Sequence, residues 1–328
     1  VISFVGAGPG APDLITLRGA ARLAAADVVV WASSLVPEAV LDHCRPAVEL
    51  HDSATMTLED VLGVYGAHPE GTPIVRLHSG DPAIYGAIAE QMDWCVAQER
   101  SFEVVPGVSS VAAAAATLAR ELTVPGVSQS VVLTRLAGRT AASMPPGEGV
   151  AAFAPHGATM AVFLSAARPD ELAAELLAPG SGYGPDTPAA VVVRASWPDE
   201  VVVRTTVGRL ADDLRATGAT MTALVLVGEA LAAEPVARRS HLYEPGYTTA
   251  YRLRSAAGST TGRPSARRDD RGPGDPGSDD RARNPRRADR SPGDPGSDDR
   301  ARNPRRADRS PGEPGRDDRA QNPSGRGV

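Results

Sequence analysis

Lysine is missing from the 328 residues: all 34 basic side chains are arginine. That excludes a lysine general base, a Schiff base and the lysine of a phosphate-binding-loop NTPase. Cysteine is nearly missing too. Cys44 and Cys95 each lie without a second Cys or a His at metal-ligand spacing, which excludes a disulfide framework or zinc module and leaves core thiols; no metal is expected. No apolar run reaches the roughly 18 residues of a membrane span, and the start VISFVGAGPG lacks a basic stretch followed by a long apolar one. A soluble, cytoplasmic protein with no membrane contact is expected.

Apolar residues are scarce only at one end. Residues 255–328 hold 17 Arg, 13 acidic residues, 11 Gly and 10 Pro, with one Val and no aromatic residue. The 19-residue unit GDPGSDDRARNPRRADRSP at 274–292 recurs identically at 293–311. Solenoid units must stack apolar faces, and these have none, so a disordered tail is expected. Without it, residues 1–254 carry 17 Arg against 27 acidic residues, a net charge of −10. Bulk electrostatics then disfavour nucleic acid, so none is expected as a partner, and any anionic ligand must be held by local arginines.

The remaining 254 residues suffice for two sizeable cores. Over 1–125, β-branched runs (2–5, 28–31, 74–77, 103–105) alternate with amphipathic stretches (14–25, 58–68, 84–98, 110–122). This alternation predicts an N-terminal α/β domain built on a mainly parallel sheet. Leu122-Thr123-Val124-Pro125-Gly126 carries turn chemistry and marks a connection. A second α/β domain is expected over 126–254, with strands at 130–134, 160–164, 189–194, 201–206 and 223–227 and helices at 169–177 and 210–216. The pair flanking Trp197-Pro198-Asp199 reads as an antiparallel hairpin, which makes this sheet mixed.

Three glycine loops follow strands in the first domain. Gly6-Ala7-Gly8-Pro9-Gly10 fits G-x-G-x-x-G/A with Ala11 last. A dinucleotide site also needs an acidic residue closing the second strand, and Val30-Trp31-Ala32-Ser33-Ser34 supplies none, while Pro9 removes a backbone donor. Ser79-Gly80-Asp81-Pro82 and Val105-Pro106-Gly107-Val108-Ser109-Ser110 repeat the strand–loop–helix arrangement, with Asp81 and Pro82 also suited to starting a helix. Loops at the carboxyl ends of successive parallel strands form one rim, where open sheets bind ligands.

Residues 1–252 resemble the tetrapyrrole methylase family. The resemblance rests on SATMTLEDV (53–61), RLHSGDPAIYGAIAEQMD (76–93), VVPGVSSVAAAAATLARELT (104–123), VSQSVVLTRLAGRT (127–140), HGATMAVFLS (156–165), TPAAVVVRASWPDEVVVR (187–204) and ATMTALVLVG (219–228). It implies two α/β domains with the cofactor, S-adenosyl-L-methionine, in the cleft between them, followed by the disordered tail. The implied activity is methylation of precorrin-4, or its cobalt-containing equivalent, at ring carbon 11; the alternatives are a corrin-pathway methylase acting on another carbon, or a doubly wound dinucleotide-binding oxidoreductase. A homodimer is implied as well.

Carried over by motif, the cofactor-binding residues are Pro9, Ser79, Gly80, Asp81, Ile84, Ser109, Ser110, Leu164, Ala195, Thr222 and Ala223. Asp81 then accepts hydrogen bonds from the cofactor, and its replacement by Ala is expected to weaken binding with the fold intact. Some uroporphyrinogen methylases carry an acid and a lysine where this chain has Ala32 and Ser53, so no catalytic residue is transferred. The corrin substrate bears several carboxylates, which guanidinium groups match in geometry. Arg135 and Arg139 are the expected substrate-binding residues, with Arg76, His78, His156 and Arg194 also near the cleft motifs.

Overall fold

The computed structural model describes residues 1–137, 141–232 and 240. They belong to one compact unit, Val1–Ser259. Arg139 and the repeats of 255–328 lie outside the described residues.

The first half runs β1 (Ile2–Gly6), α1 (Leu17–Ala25), β2 (Val28–Trp31), β3 (Glu49–Asp52), α2 (Leu58–Ala67), β4 (Ile74–His78), α3 (Ala89–Ala97), β5 (Phe102–Val105) and α4 (Ser110–Thr117). Its strands form a sheet in the order β3-β2-β4-β1-β5, and every pairing is parallel. Leu23 of α1 packs with Val5, Val29, Val75 and Leu77 on one face. On the other, Val61 and Tyr65 of α2 and Cys95 of α3 pack with Ile2, Phe4, Val28 and Ile74. Covered on both sides, β1 (Ile-Ser-Phe-Val-Gly) is buried at all five residues and lacks the alternation of a half-exposed strand, with its one polar side chain, Ser3, donating to Glu103. The chain leaves β1 towards one face and the adjacent β4 towards the other, and this reversal opens a crevice at their carboxyl ends.

The second half continues with β6 (Val131–Arg135), α5 (Val150–Phe153), β7 (Thr159–Phe163), α6 (Pro169–Leu176), β8 (Pro188–Val193), β9 (Val201–Thr206), α7 (Leu210–Ala216) and β10 (Ala223–Val227). The strand order is β6-β7-β10-β8-β9, with β6–β7 parallel and the other pairs antiparallel, the mixed sheet expected. Helices α5, α6 and α7 cover one face through Val150, Leu172, Leu176, Leu210 and Leu214. The opposite face is covered by α4, whose Val111, Ala113 and Ala114, with Leu118 just past its end, pack with Ala161, Ala190, Val192, Leu224 and Leu226. A helix from the first half thus closes the core of the second, because its small side chains let it lie close to the sheet.

Two elements begin later than the periodicity indicates. The first helix starts at Leu17, where the Thr16 side chain accepts from the Gly19 N–H and caps it. The third starts at Ala89, because Tyr85 and Ala87 adopt left-handed φ of 56° and 50°. Strand β3, with the sequence Glu-Leu-His-Asp, is a polar edge strand with no apolar pattern to announce it.

Candidate active site

The loops after β1, β4 and β5 meet backbone to backbone. Gly80 N donates to Gly8 O at 2.8 Å and Gly8 N to Gly80 O at 3.3 Å, so the first two loops clasp each other. Both glycines are left-handed, with φ of 83° and 66°. The third loop closes on them: a Cβ at Gly107 would stand 2.1 Å from Gly80 O, and one at Gly6 would stand 2.5 Å from the Gly107 Cα. Asp81 ties the rim together. One carboxylate oxygen accepts from Ala83 N at 2.8 Å, turning its own loop, and the other accepts from Gly107 N at 2.9 Å.

The second half supplies the facing wall. Trp197, in the β8–β9 turn, donates its indole N–H to Pro9 O at 3.0 Å. Its ring lies where a side chain at Gly10 would go, 2.2 Å from a Cβ built there. One residue earlier, the Ser196 hydroxyl accepts from Ala11 N at 3.0 Å. The turn is itself braced, with the Arg194 guanidinium 5.2 Å above the Trp197 ring and paired with Asp199, and Ser196 N donating to Glu200 at 2.6 Å. Trp197→Phe keeps an aromatic side chain, smaller than the indole, and removes the donor, so Pro9 O loses its partner. The expected cost is about 1 kcal/mol, read as a lowered urea midpoint; an unchanged midpoint would mean that the bond contributes nothing.

Between these walls lies a cavity of 340 Å³. All eleven residues expected to hold the cofactor line it, seven from the three rim loops of the first half and four from the second half. Ile84, Phe163, Leu164, Val192 and Leu224 make its apolar surface, and Asp81 is the one acidic residue among the lining. Asp81 has no cationic partner among the described residues, although each of its oxygens keeps a further acceptor site. Tyr85, Leu164, Arg194 and Thr222 all line the cavity with left-handed φ between 50° and 56°. Each such residue costs on the order of 1 kcal/mol and persists because the surrounding packing fixes it, a concentration of strain found at ligand sites.

The basic residues divide. Arg194 lines the cavity, whereas His156 is exposed and away from it. Arg135 ends β6 alongside Phe163 and donates to the Ser143 hydroxyl at 3.0 Å. Arg76 is largely buried, giving its Nη1 to Val30 O and the Ser53 hydroxyl while its Nε finds no partner. Burial, with Arg76 beside it, pushes His78 down to about 3, so its imidazole is neutral. The sequence reading missed Tyr85, Phe163, Trp197 and Met221 as lining residues; only Trp197 stood out, and it was read as part of a turn.

Comparison with known proteins gives a consistent result. The model of the family described as Tetrapyrrole (Corrin/Porphyrin) Methylases matches residues 1–211. The chain is 47% identical to a precorrin-4 C(11)-methyltransferase of Rhodococcus erythropolis, over 71% of this chain and 92% of the relative. It is 44% identical to a cobalt-precorrin-4 C(11)-methyltransferase of Methanocaldococcus jannaschii, over 76% of this chain and 95% of the relative. The uroporphyrinogen-III C-methyltransferase of Pseudomonas aeruginosa stands at 32%, over 69% of this chain and 92% of the relative. Among solved structures, a cobalt precorrin-4 methyltransferase superposes with a TM-score of 0.67 at 44% identity, covering 70% of this chain and 95% of that one. A uroporphyrin-III C-methyltransferase from Thermus thermophilus, complexed with S-adenosyl homocysteine, gives 0.57 at 29% identity, covering 70% and 98%.

Proposed function

We propose, from the premise that this chain belongs to the tetrapyrrole (corrin/porphyrin) methylase family, that it transfers the methyl group of S-adenosylmethionine to carbon 11 of precorrin-4 or of its cobalt-containing form. The observation that carries the choice of carbon is the higher identity to relatives named for that reaction than to the relative named for uroporphyrinogen-III. Family membership sets aside the dinucleotide oxidoreductase, whose ribose-binding acid is also missing after β2. The reading extends to a homodimer working in the cytoplasm. Among the described residues, no helix is long and apolar enough to cross a membrane.

The cavity suits the cofactor in size and chemistry. Asp81 would accept from its ammonium or ribose hydroxyls, Ile84 and Leu164 would pack against the adenine, and the small Ala195 and Ala223 would admit it close to the backbone. Ser109, which caps α4 by accepting from Val111 N, would present its loop to the same ligand. When bound, the cofactor supplies a methyl group made electrophilic by its sulfonium. The chain's own task is to hold that methyl in line with an electron-rich macrocycle carbon and to keep water away. Fixing both partners removes the entropy of their encounter, which accounts for a large share of the barrier in such displacements. Outside the cavity, Arg135 would pair with a substrate carboxylate, and Arg139 is assigned the same role from its place in the motif.

The test uses the full chain with isotopically labelled S-adenosylmethionine and a defined corrin precursor, locating the new methyl by NMR. Label at carbon 11 supports the reading, and label at another carbon would assign the chain to a sibling reaction. Stabilisation against heat by NAD and not by S-adenosylhomocysteine would overturn it.

A further inference from the structure

Tyr85 has a place in the cleft that cofactor binding does not explain. It follows Ile84 in the second loop, yet it remains 48% exposed at the cavity edge while its neighbour faces inward. Its direction is imposed by the loop. The residue itself is left-handed, and a Cβ at the next position, Gly86, would stand 2.1 Å from Pro82 O, so the turn is wound as tightly as a backbone allows. The ring is thereby laid against Phe163 of β7, with centroids 4.9 Å apart and planes tilted by 56°.

The surface continues past this pair. Phe163 is in register with Arg135 on β6, and Ala161 with Leu133, so all four side chains share one face of the second sheet. Helix α4 covers that face over β7, β8 and β10, while on the edge strand Leu133 stays 40% exposed. The result is a row of two aromatic rings, a guanidinium and an exposed leucine leading out of the cavity. Arg135 and Glu148 are the charges nearest in effect to the Tyr85 hydroxyl, which burial holds protonated. An apolar ring system fringed by carboxylates matches such a row: rings for its face and a cation for one of its acid arms.

We infer that Tyr85 is a specificity-determining residue that, with Phe163, forms an aromatic step against which the tetrapyrrole face packs, setting which ring carbon stands opposite the methyl donor. This rests on the tetrapyrrole methylase reading above. It goes further in assigning the macrocycle a contact surface at the edge of the same cavity, on residues beyond the eleven assigned to the cofactor. A purely structural Tyr85 would serve only to hold the two halves together, and the two roles separate in measurement.

Tyr85→Leu removes the ring, Tyr85→Phe keeps it, and Leu133→Gln changes the same row at an exposed position where folding is not at stake. Each is prepared as the full chain and assayed for S-adenosylhomocysteine Kd by calorimetry, melting temperature, KM for the macrocycle and position of the new methyl. The expected result for Tyr85→Leu and Leu133→Gln is a KM raised by about tenfold and about threefold respectively, with part of the new methyl moved off the parent's carbon in Tyr85→Leu, the homocysteine Kd within about twofold of the parent and Tyr85→Phe near the parent throughout. An unchanged KM in either of the two that folds, or a cofactor Kd that weakens in step with KM, overturns the inference. The parent enzyme separates the two readings. If it methylates no tetrapyrrole, the functional reading fails first; if it does, the variants alone decide the fate of Tyr85.

Discussion

Gly107→Ala is expected to abolish measurable S-adenosylhomocysteine binding and to cost about 3 kcal/mol of stability. The added methyl has nowhere to go. It would stand 2.1 Å from Gly80 O and 2.7 Å from the Gly6 Cα, and all of these atoms are backbone, so no rotamer change relieves the overlap. Moving Gly107 away breaks its N–H bond to Asp81 and prises the third loop from the first two, which is the geometry that makes the rim. A control sits in the same chain: Gly63, in the middle of α2, has open space where a Cβ would be. Gly63→Ala should raise stability by roughly 0.5–1 kcal/mol and leave binding alone. Urea unfolding and calorimetric titration of both variants decide the matter. A Gly107→Ala protein that binds within about threefold of the parent would show that the three loops need not touch.

Asp81 is the second large effect, and here the geometry corrects an expectation. Read from the motif, Asp81→Ala should weaken cofactor binding and spare the fold. In the structure the carboxylate also holds Ala83 N and Gly107 N, so Ala removes two charge-assisted hydrogen bonds at once, and the expected loss is about 2 kcal/mol of stability beside a cofactor affinity lowered on the order of 100-fold. Asp81→Asn separates the roles. It can still accept from one of the two N–H groups but presents a donor to the other and no charge to the ligand, so it should recover about half of the lost stability and little of the lost affinity. If Asn restores affinity to within a few-fold of the parent, Asp81 acts on the cofactor only through the loops it ties.

What could be read from the chain, and what could not, follows from whether the cause was local. Strand β8 was legible because Pro-Ala-Ala-Val-Val-Val is buried on both faces, and its residues divide between two cores, Val191 into one and Val192 into the other. The rim loops were legible because glycine is required where backbones touch, and it marks that need in the sequence. Strand β3 was not, since an edge strand facing water needs no apolar residue. The run Ile84, Ile88 and Met92 keeps helical spacing, yet the helix begins only at Ala89, because Tyr85 and Ala87 are left-handed and the turn at Gly86 is wound against Pro82 O. Trp197 was visible as a residue, but its partner, Pro9, lies 188 positions away, and no local pattern encodes that pairing.

The packing of α4 bears on how this chain could be recombined with its relatives. Sequence punctuation puts the joint at Pro125, but a chimera cut there would carry α4 away from the sheet it was shaped for and leave it facing a foreign one. Its Ala113 and Ala114 fit against Ala161 and Ala190, small against small, and larger residues on a donor sheet would hold the helix off. Since α4 begins at Ser109 and Ser110 on the rim, the shift would be felt at once in the cleft. A workable graft would have to take α4 together with the second sheet, crossing over ahead of Ser109, so the inheritable module boundary falls inside the third glycine loop rather than after the helix.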